Sequence, residues 1–240
     1  MTKENFQPNI LCEHFNTVQT RIEMACLSSH RNRETITLIA VSKTRTALEI
    51  ESIFQLDQRH FAENYVQEGL DKIKILSHLP ITWHFIGKIQ SNKTAFIAEN
   101  FDWVHSLDSI VHLSRLNKQR PPHKKKLQIC LQVNLDEEPQ KGGLKIEEVW
   151  PFICESLAFE NIELRGLMCI PMENLTPQET LMRFTRLKSL QEEINQKQLK
   201  KALKLQLDTL SMGMSDDLEQ AIEAGSTMVR VGSALFGKRA

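Results

Sequence analysis

From about residue 35 onward the chain alternates between two hydrophobic periodicities, and it does so eight times. Short β-branched or apolar runs occupy Thr35–Val41, Arg59–Ala62, Ile81–Ile86, Trp103–Ser106, Lys126–Asn134, Ile162–Ile170, Gln206–Ser211 and Thr227–Val231. The stretches between them carry apolar residues at helical spacing. Leu48, Ile50, Ile53 and Phe54 form one stripe, and Val149, Ile153 and Leu157 a second. Leu181, Phe184, Leu187, Leu190 and Ile194 form a third, within the polar segment Pro177–Lys204. Strands alternating with helices call for a parallel sheet. Eight such units in 240 residues favour closure into an α/β fold of the (β/α)₈ TIM-barrel type, typically ~250 residues long. An open doubly wound sheet is the alternative. A helical leader over residues 1–30, centred on Ile10 to Leu27, precedes a barrel over 35–237, and no linker or composition shift divides the single domain 1–240.

Composition narrows the function. Lys+Arg and Asp+Glu are both 30, so neither nucleic acid nor an anionic membrane would be gripped by bulk charge. The run Lys124-Lys125-Lys126 reads as a solvated loop entering a strand. The five cysteines, Cys12, Cys26, Cys130, Cys154 and Cys169, are scattered and form no CxxC, which fits a reducing cytoplasm. Cys130, Cys154 and Cys169 lie in apolar stretches and read as small core residues. The start, MTKENFQPNI, lacks the apolar run of a signal peptide, and nothing approaches the ~20 apolar residues of a membrane span. The eight histidines show no zinc spacing, so no metal site is expected.

A barrel of this kind builds its site at the C-terminal ends of the strands. The first strand ends in Leu38-Ile39-Ala40-Val41-Ser42-Lys43, which delivers a lysine to the rim. Partial desolvation there lowers an ammonium's pKa and lets the neutral amine attack an aldehyde. Taken alone, an ordinary loop lysine is the commoner case. The seventh strand runs into Met212-Gly213-Met214-Ser215, and the eighth into Arg230-Val231-Gly232-Ser233. Ser215 has the look of a helix N-cap, with Asp216 and Asp217 in the first turn. Gly232 permits close backbone approach to a ligand, and loops after strands seven and eight are the usual phosphate site of this fold. Arg230 faces either an anion, a ring nitrogen or a structural partner. His84 alternates with Trp83 and Phe85 on its strand and reads more as a satisfied core residue than as a ligand. Asn64, Gly87, Asn134 and Lys141-Gly142-Gly143 are further residues at the same rim.

The segments LIAVSKT, FAENYVQE, WHFIGKIQSNK, LQVNLDEEPQKGGL, LRGLMCIP, LSMGMSDDLEQAI and GSTMVRVGSALFG resemble, in order from about Leu38 to Gly237, the pyridoxal phosphate homeostasis proteins (the YggS/PROSC-like family). The resemblance implies the barrel of the alanine racemase N-terminal domain, standing alone and binding pyridoxal 5′-phosphate (PLP) without established turnover. It implies that Lys43 forms an imine with PLP and that Arg230 approaches the pyridine nitrogen. It assigns the phosphate to Ser215, Gly232 and Ser233, and places Asn64 near the cofactor. The chain departs from the family pattern at Ala62 in place of the commoner glycine, at Lys88, and at Ser233 in place of threonine, which keeps a hydroxyl.

An arginine can only donate to the ring nitrogen, which is then held unprotonated. The ring becomes a weaker electron sink, and carbanion chemistry is disfavoured. The single tyrosine, Tyr65, lies early in the barrel, and with three residues after Gly237 no added domain is expected to supply a second acid–base group. The reading is therefore a PLP carrier or buffer in PLP homeostasis, a monomer or weak dimer with apo PLP-dependent enzymes as possible recipients. The alternatives are a PLP-dependent enzyme such as a weak amino-acid racemase, and a barrel for another phosphorylated metabolite with no imine at Lys43.

Overall fold

Eight parallel strands close into a barrel in the order β1-β2-β3-β4-β5-β6-β7-β8. The computed structural model describes residues 8–136, 138, 142–201, 205 and 207–237. The strands are β1 (Thr37–Val41), β2 (His60–Glu63), β3 (Thr82–Phe85), β4 (Trp103–Leu107), β5 (Leu127–Gln132), β6 (Ile162–Met168), β7 (Thr209–Ser211) and β8 (Met228–Val231). Between them run α2 (Ala47–Phe54), α3 (Val66–Ile75), α4 (Thr94–Asn100), α5 (Ile110–Gln119), α6 (Ile146–Ser156), α7 (Pro177–Lys200) and α8 (Leu218–Glu223). Helix α1 (Pro8–Ser28) precedes the barrel and α9 (Ser233–Phe236) follows β8. The barrel closes where β1 pairs with β8, from Thr37 opposite Met228 to Ala40 opposite Val231.

The two faces of each strand have separate tasks. Leu38, Phe61, Trp83, Phe85, Val104, Leu131 and Val229 point outward and pack beneath the helices. Ile39, Val41, Ala62, Trp103, Cys130, Met168 and Met228 form a smaller cluster inside the barrel. The period of two along each strand produces this partition. Helix α1 lies on α2, α8 and α9. It buries Leu11, Phe15, Val18, Ile22 and Cys26, residues three or four apart. The pair Arg21–Glu219 (2.7 Å) fastens it to α8.

Local chemistry sets the element ends. Thr46 and Glu49 form a capping box at the start of α2, and Thr176 and Glu179 form another at α7, where Pro177 occupies the first turn. Strand β1 is shorter than the apolar run suggests, because the Asn32 side chain accepts the Glu34 N–H and draws Arg33–Thr35 into a 3-10 turn. Strands β5 and β6 likewise end at Gln132 and Met168, before the predicted Asn134 and Ile170. Gln206, predicted to open β7, Lys204, predicted to end the α7 segment, and Lys141 at the rim lie outside the described residues.

Two stripe residues and one cysteine are exposed against expectation. Ile50, Ile53 and Phe54 are buried, but Leu48, across the helix from Ile50, is exposed. Val149 and Ile153 are buried, whereas Leu157 is exposed because α6 ends at Ser156. In the α7 stripe Phe184, Leu187, Leu190 and Ile194 are buried, and Leu181 in the second turn is half-buried. Cys130 and Cys169 are buried, but Cys154 is exposed, one step round the helix from Ile153, and is not a core residue. Among the described residues, no helix is long and apolar enough to cross a membrane.

Candidate functional site

Four neighbouring strands, β7-β8-β1-β2, carry Lys43, Asn64, Ser215, Arg230, Gly232 and Ser233 at or just beyond their C-terminal ends. Lys43 follows Ile39 and Val41 in the inward-facing alternation and is part-buried. Val41 pairs with Ala62, and the Ser42 N–H reaches the Ala62 carbonyl at 2.9 Å, so Asn64 emerges beside Lys43. On the other side, a Cβ at Gly232 would stand 3.4 Å from Val41. The loops after β7 and β8 are joined by a hydrogen bond from the Ala234 N–H to Ser215 Oγ (3.2 Å). Ser215, Gly232 and Ser233 therefore form one continuous wall of the mouth.

Ser215 does not cap the following helix as expected. Helix α8 begins at Leu218 behind Asp217, whose carboxylate accepts the Met214 N–H at 2.5 Å. The turn closed by that bond leaves Ser215 turned toward α9 instead. Gly213 makes the turn possible. Its φ is +96°, and a Cβ there would stand 2.4 Å from the Ala221 methyl. Its carbonyl accepts the Arg230 N–H at 2.9 Å, which sets β8 against the loop.

Arg230 is a buried cation inside the barrel. It donates to Ser211 Oγ (2.7 Å) and to the Cys169 carbonyl (2.9 Å). Burial lowers its pKa from the ordinary arginine value, but a guanidinium with so high a starting value keeps its proton. The same burial lifts the thiols of Cys130 and Cys169 to about 12.

A charged clamp below Lys43 was not anticipated. Lys72, on α3, is 6% exposed and donates to the Ser42 carbonyl (2.6 Å), Glu63 (2.8 Å) and Glu68 (2.6 Å). Glu63 also accepts from the Ser42 hydroxyl at 2.6 Å. Glu68 accepts the Thr44 N–H as well, and Thr44 takes a φ of +65°, uncommon for a β-branched residue. Both residues flanking Lys43 are thus held by α3. Burial raises the pKa of Glu63, against the pull of Lys72. The spacing Glu68 to Lys72, one helical turn, was the available signal.

Gly87 serves geometry. A Cβ there would lie 1.9 Å from the Asn64 carbonyl oxygen, so only glycine lets β3 pass the strand end that presents Asn64. Asn64 Oδ1 is buried without a hydrogen-bond partner. Ala62 faces the barrel interior, and Lys88 is exposed. The Gln90–Lys93 motif forms a 3-10 turn docked on α5, with the Ser91 carbonyl accepting from Arg115 at 2.7 Å. Tyr65 is exposed at the start of α3. Among the described residues, no group of three or more His, Cys, Asp or Glu side chains is placed to hold a metal ion.

A cavity of about 180 Å³ opens across the mouth between Gln132, Asn134, Gly142 and Ile170. A larger one, about 800 Å³, lies at the opposite end near Lys126, Phe159, Arg165 and Asp208. There Arg165 is already paired with Asp208 at 2.6 Å. The first cavity lies on the same rim as Lys43, beyond the ends of β5 and β6.

Fold and rim together define a (β/α)₈ barrel of the alanine racemase N-terminal domain class. The sequence profile of the family "Alanine racemase, N-terminal domain" matches residues 23–240. A "Pyridoxal phosphate homeostasis protein" of Haemophilus influenzae is 43% identical over 240 residues, covering 98% of this chain and 96% of that protein. The chain belongs to the pyridoxal phosphate homeostasis protein family. The structure of PipY from Synechococcus elongatus with PLP bound superposes with a TM-score of 0.79 at 35% identity, over 92% of this chain and all of the other. A Clostridium difficile alanine racemase shares the fold alone, with a TM-score of 0.72 at 14% identity, over 95% of this chain and 57% of the racemase.

Proposed function

We propose that this protein binds PLP at the barrel mouth and serves PLP homeostasis as a carrier that keeps a reactive aldehyde sequestered. The observation that carries the reading is the meeting of Lys43, Arg230 and the joined Ser215–Ala234 wall on adjacent strand ends, in a chain similar to one seen with PLP bound. The residues fit the group. A part-buried amine, a buried guanidinium and a hydroxyl beside backbone N–H groups match an aldehyde, a ring nitrogen and a phosphate in chemical type, and the orphaned Asn64 Oδ1 can accept from a ring hydroxyl.

In this reading Lys43 supplies the amine that condenses with the aldehyde, with loss of one water. Ser215, Gly232 and Ser233 hold the phosphate, where charge-assisted hydrogen bonds are strong. Arg230 donates to the ring nitrogen and keeps it unprotonated. When bound, PLP would supply an electrophilic carbon that another amine can claim. Release to apo PLP-dependent enzymes in the cytoplasm follows by exchange with such an amine or with water. The protein acts as a monomer or weak dimer, and its neutral charge balance calls for no nucleic acid or membrane partner.

The test is mass spectrometry of PLP-loaded protein after borohydride reduction. A pyridoxyl adduct is expected on Lys43, and Lys43→Ala is expected to be colourless with a native fold. The same adduct formed on another lysine of Lys43→Ala would overturn the assignment.

A further inference from the structure

A continuous line of hydrogen bonds crosses the inside of the barrel and ends on Arg230. His60 Nδ1 lies 2.9 Å from His84 Nε2, and His84 Nδ1 lies 2.8 Å from His105 Nε2. His105 Nδ1 lies 2.8 Å from Ser211 Oγ, which Arg230 meets at 2.7 Å. The line starts at the N-terminal end of β2, passes through β3 and β4, and crosses to β7 and β8. His84, His105 and Ser211 are fully buried, and His60 is partly accessible.

The chemistry of one end fixes the direction of the whole line. A guanidinium has no acceptor, so Ser211 Oγ must accept from Arg230. The other hydrogen-bond partner of Ser211 Oγ among the described residues is His105 Nδ1. A buried hydroxyl whose hydrogen finds no acceptor costs about 1–3 kcal/mol, so Ser211 donates to His105. His105 then carries its hydrogen on Nε2 and donates to His84 Nδ1. His84 in turn carries its hydrogen on Nε2 and donates to His60 Nδ1. Every donor points away from Arg230.

We propose that His60, His84, His105 and Ser211 are a polarised relay that commits Ser211 as an acceptor and so fixes the Arg230 guanidinium for the ring-nitrogen end of the PLP site. They are positioning residues; the assignment to PLP rests on the function proposed above. The relay needs neutral imidazoles. Burial lowers the pKa of His60 and His84, and burial with the nearby Arg230 charge holds His105 down to about 3. Stacking of His84 on Trp103, with ring centroids 5.6 Å apart, keeps the middle ring from turning.

The first test needs no PLP. Nitrogen-15 NMR of histidine-labelled apo protein at pH 7 is expected to show His84 and His105 neutral, protonated on Nε2 alone. A cationic ring, or the Nδ1–H tautomer at either residue, would overturn the relay. The second test compares two variants by absorption spectrum and PLP dissociation. In His105→Gln the amide oxygen accepts from Ser211 and the amide nitrogen donates to His84, so the direction survives. In His105→Phe it does not. His105→Phe is expected to shift the PLP absorption band and speed dissociation about tenfold, which ~1.4 kcal/mol corresponds to. His105→Gln is expected to stay within about twofold. Equal behaviour of the two variants would sink the proposal. Failure of wild-type protein to take up PLP would sink the functional reading instead, and the NMR result would still decide the relay.

Discussion

The ammonium of Lys72 lies 2.6 Å from the carbonyl oxygen of Ser42, the residue immediately before Lys43. The same ammonium reaches Glu63 at 2.8 Å, with both side chains almost wholly buried. Breaking a buried pair by removing one member leaves the other charge uncompensated, at a cost of ~3–5 kcal/mol. Lys72→Met is expected to lose stability of that order in urea denaturation. It is also expected to hold PLP more weakly, because the backbone on one side of Lys43 is released. A loss below ~1 kcal/mol would show that the clamp is not a structural support.

Glu63 gives the clamp a pH signature. Its pKa is raised above the ordinary 4.5 by burial, opposed by the Lys72 charge and by hydrogen bonds from Lys72 and Ser42. A raised folded-state value means the folded protein binds the proton more tightly than the unfolded chain. That contribution is present below the ordinary carboxylate value and disappears as pH rises through the raised one. The stability gap between Glu63→Gln and wild type should therefore move in favour of Glu63→Gln between pH 4 and pH 7. Unfolding free energies that keep a constant gap would contradict this.

The interior histidines act in the opposite direction. His105 falls from 6.5 to about 3, chiefly through burial, so the unfolded chain binds its proton more tightly. Stability from this residue is present above pH 6.5 and is lost as pH falls toward 3, at up to ~1.4 kcal/mol per pH unit. His105→Gln removes that proton. Its stability is expected to fall less steeply than that of wild type over the same window, read from urea midpoints at a series of pH values.

The barrel was legible because strands and helices alternate with distinct periods, a signal repeated from Thr37 to Val231. The placement of Lys43, Ser215, Arg230 and Gly232 on one rim was legible because each follows or ends an apolar run that forms a strand. What could not be read is what depends on pairing between distant strands. His60, His84 and His105 are each unremarkable on their own strand. Only the register of β2, β3 and β4 and the crossing to β7 bring them into line. The role of Ser215 was misread as an N-cap for the same reason, since its partner, Ala234, lies beyond the next strand. Cys154 was misplaced by one step of helix phase, an error that local hydrophobicity cannot detect.

The cysteines offer a check on this interior. Thiolate, not thiol, reacts with alkylating agents. Cys130 and Cys169 are buried, with thiols lifted to about 12, whereas Cys154 is exposed. Iodoacetamide at pH 8 is expected to modify Cys154 within minutes and to leave Cys130 and Cys169 untouched until the barrel unfolds. Peptide mapping that found Cys169 labelled as fast as Cys154 would mean that the wall beside Arg230 is open.

The binding site itself is tested by ranking its contacts. Ser215 stands beside the backbone N–H groups opening α9, where a phosphate dianion gains charge-assisted bonds of ~1.5–3 kcal/mol each. In the proposed function Arg230, a buried charge, donates to one ring atom. Asn64 offers a neutral amide whose orphaned oxygen can gain one ordinary bond, ~1 kcal/mol. Ser215→Ala and Arg230→Ala are therefore expected to weaken PLP retention at least tenfold, and Asn64→Ala by about fivefold or less. Dissociation measured by transfer of PLP to an excess of an amine trap reads the order directly. If Asn64→Ala were the most damaging of the three, the ring would be seated against β2, and the phosphate would not lie between the loops after β7 and β8.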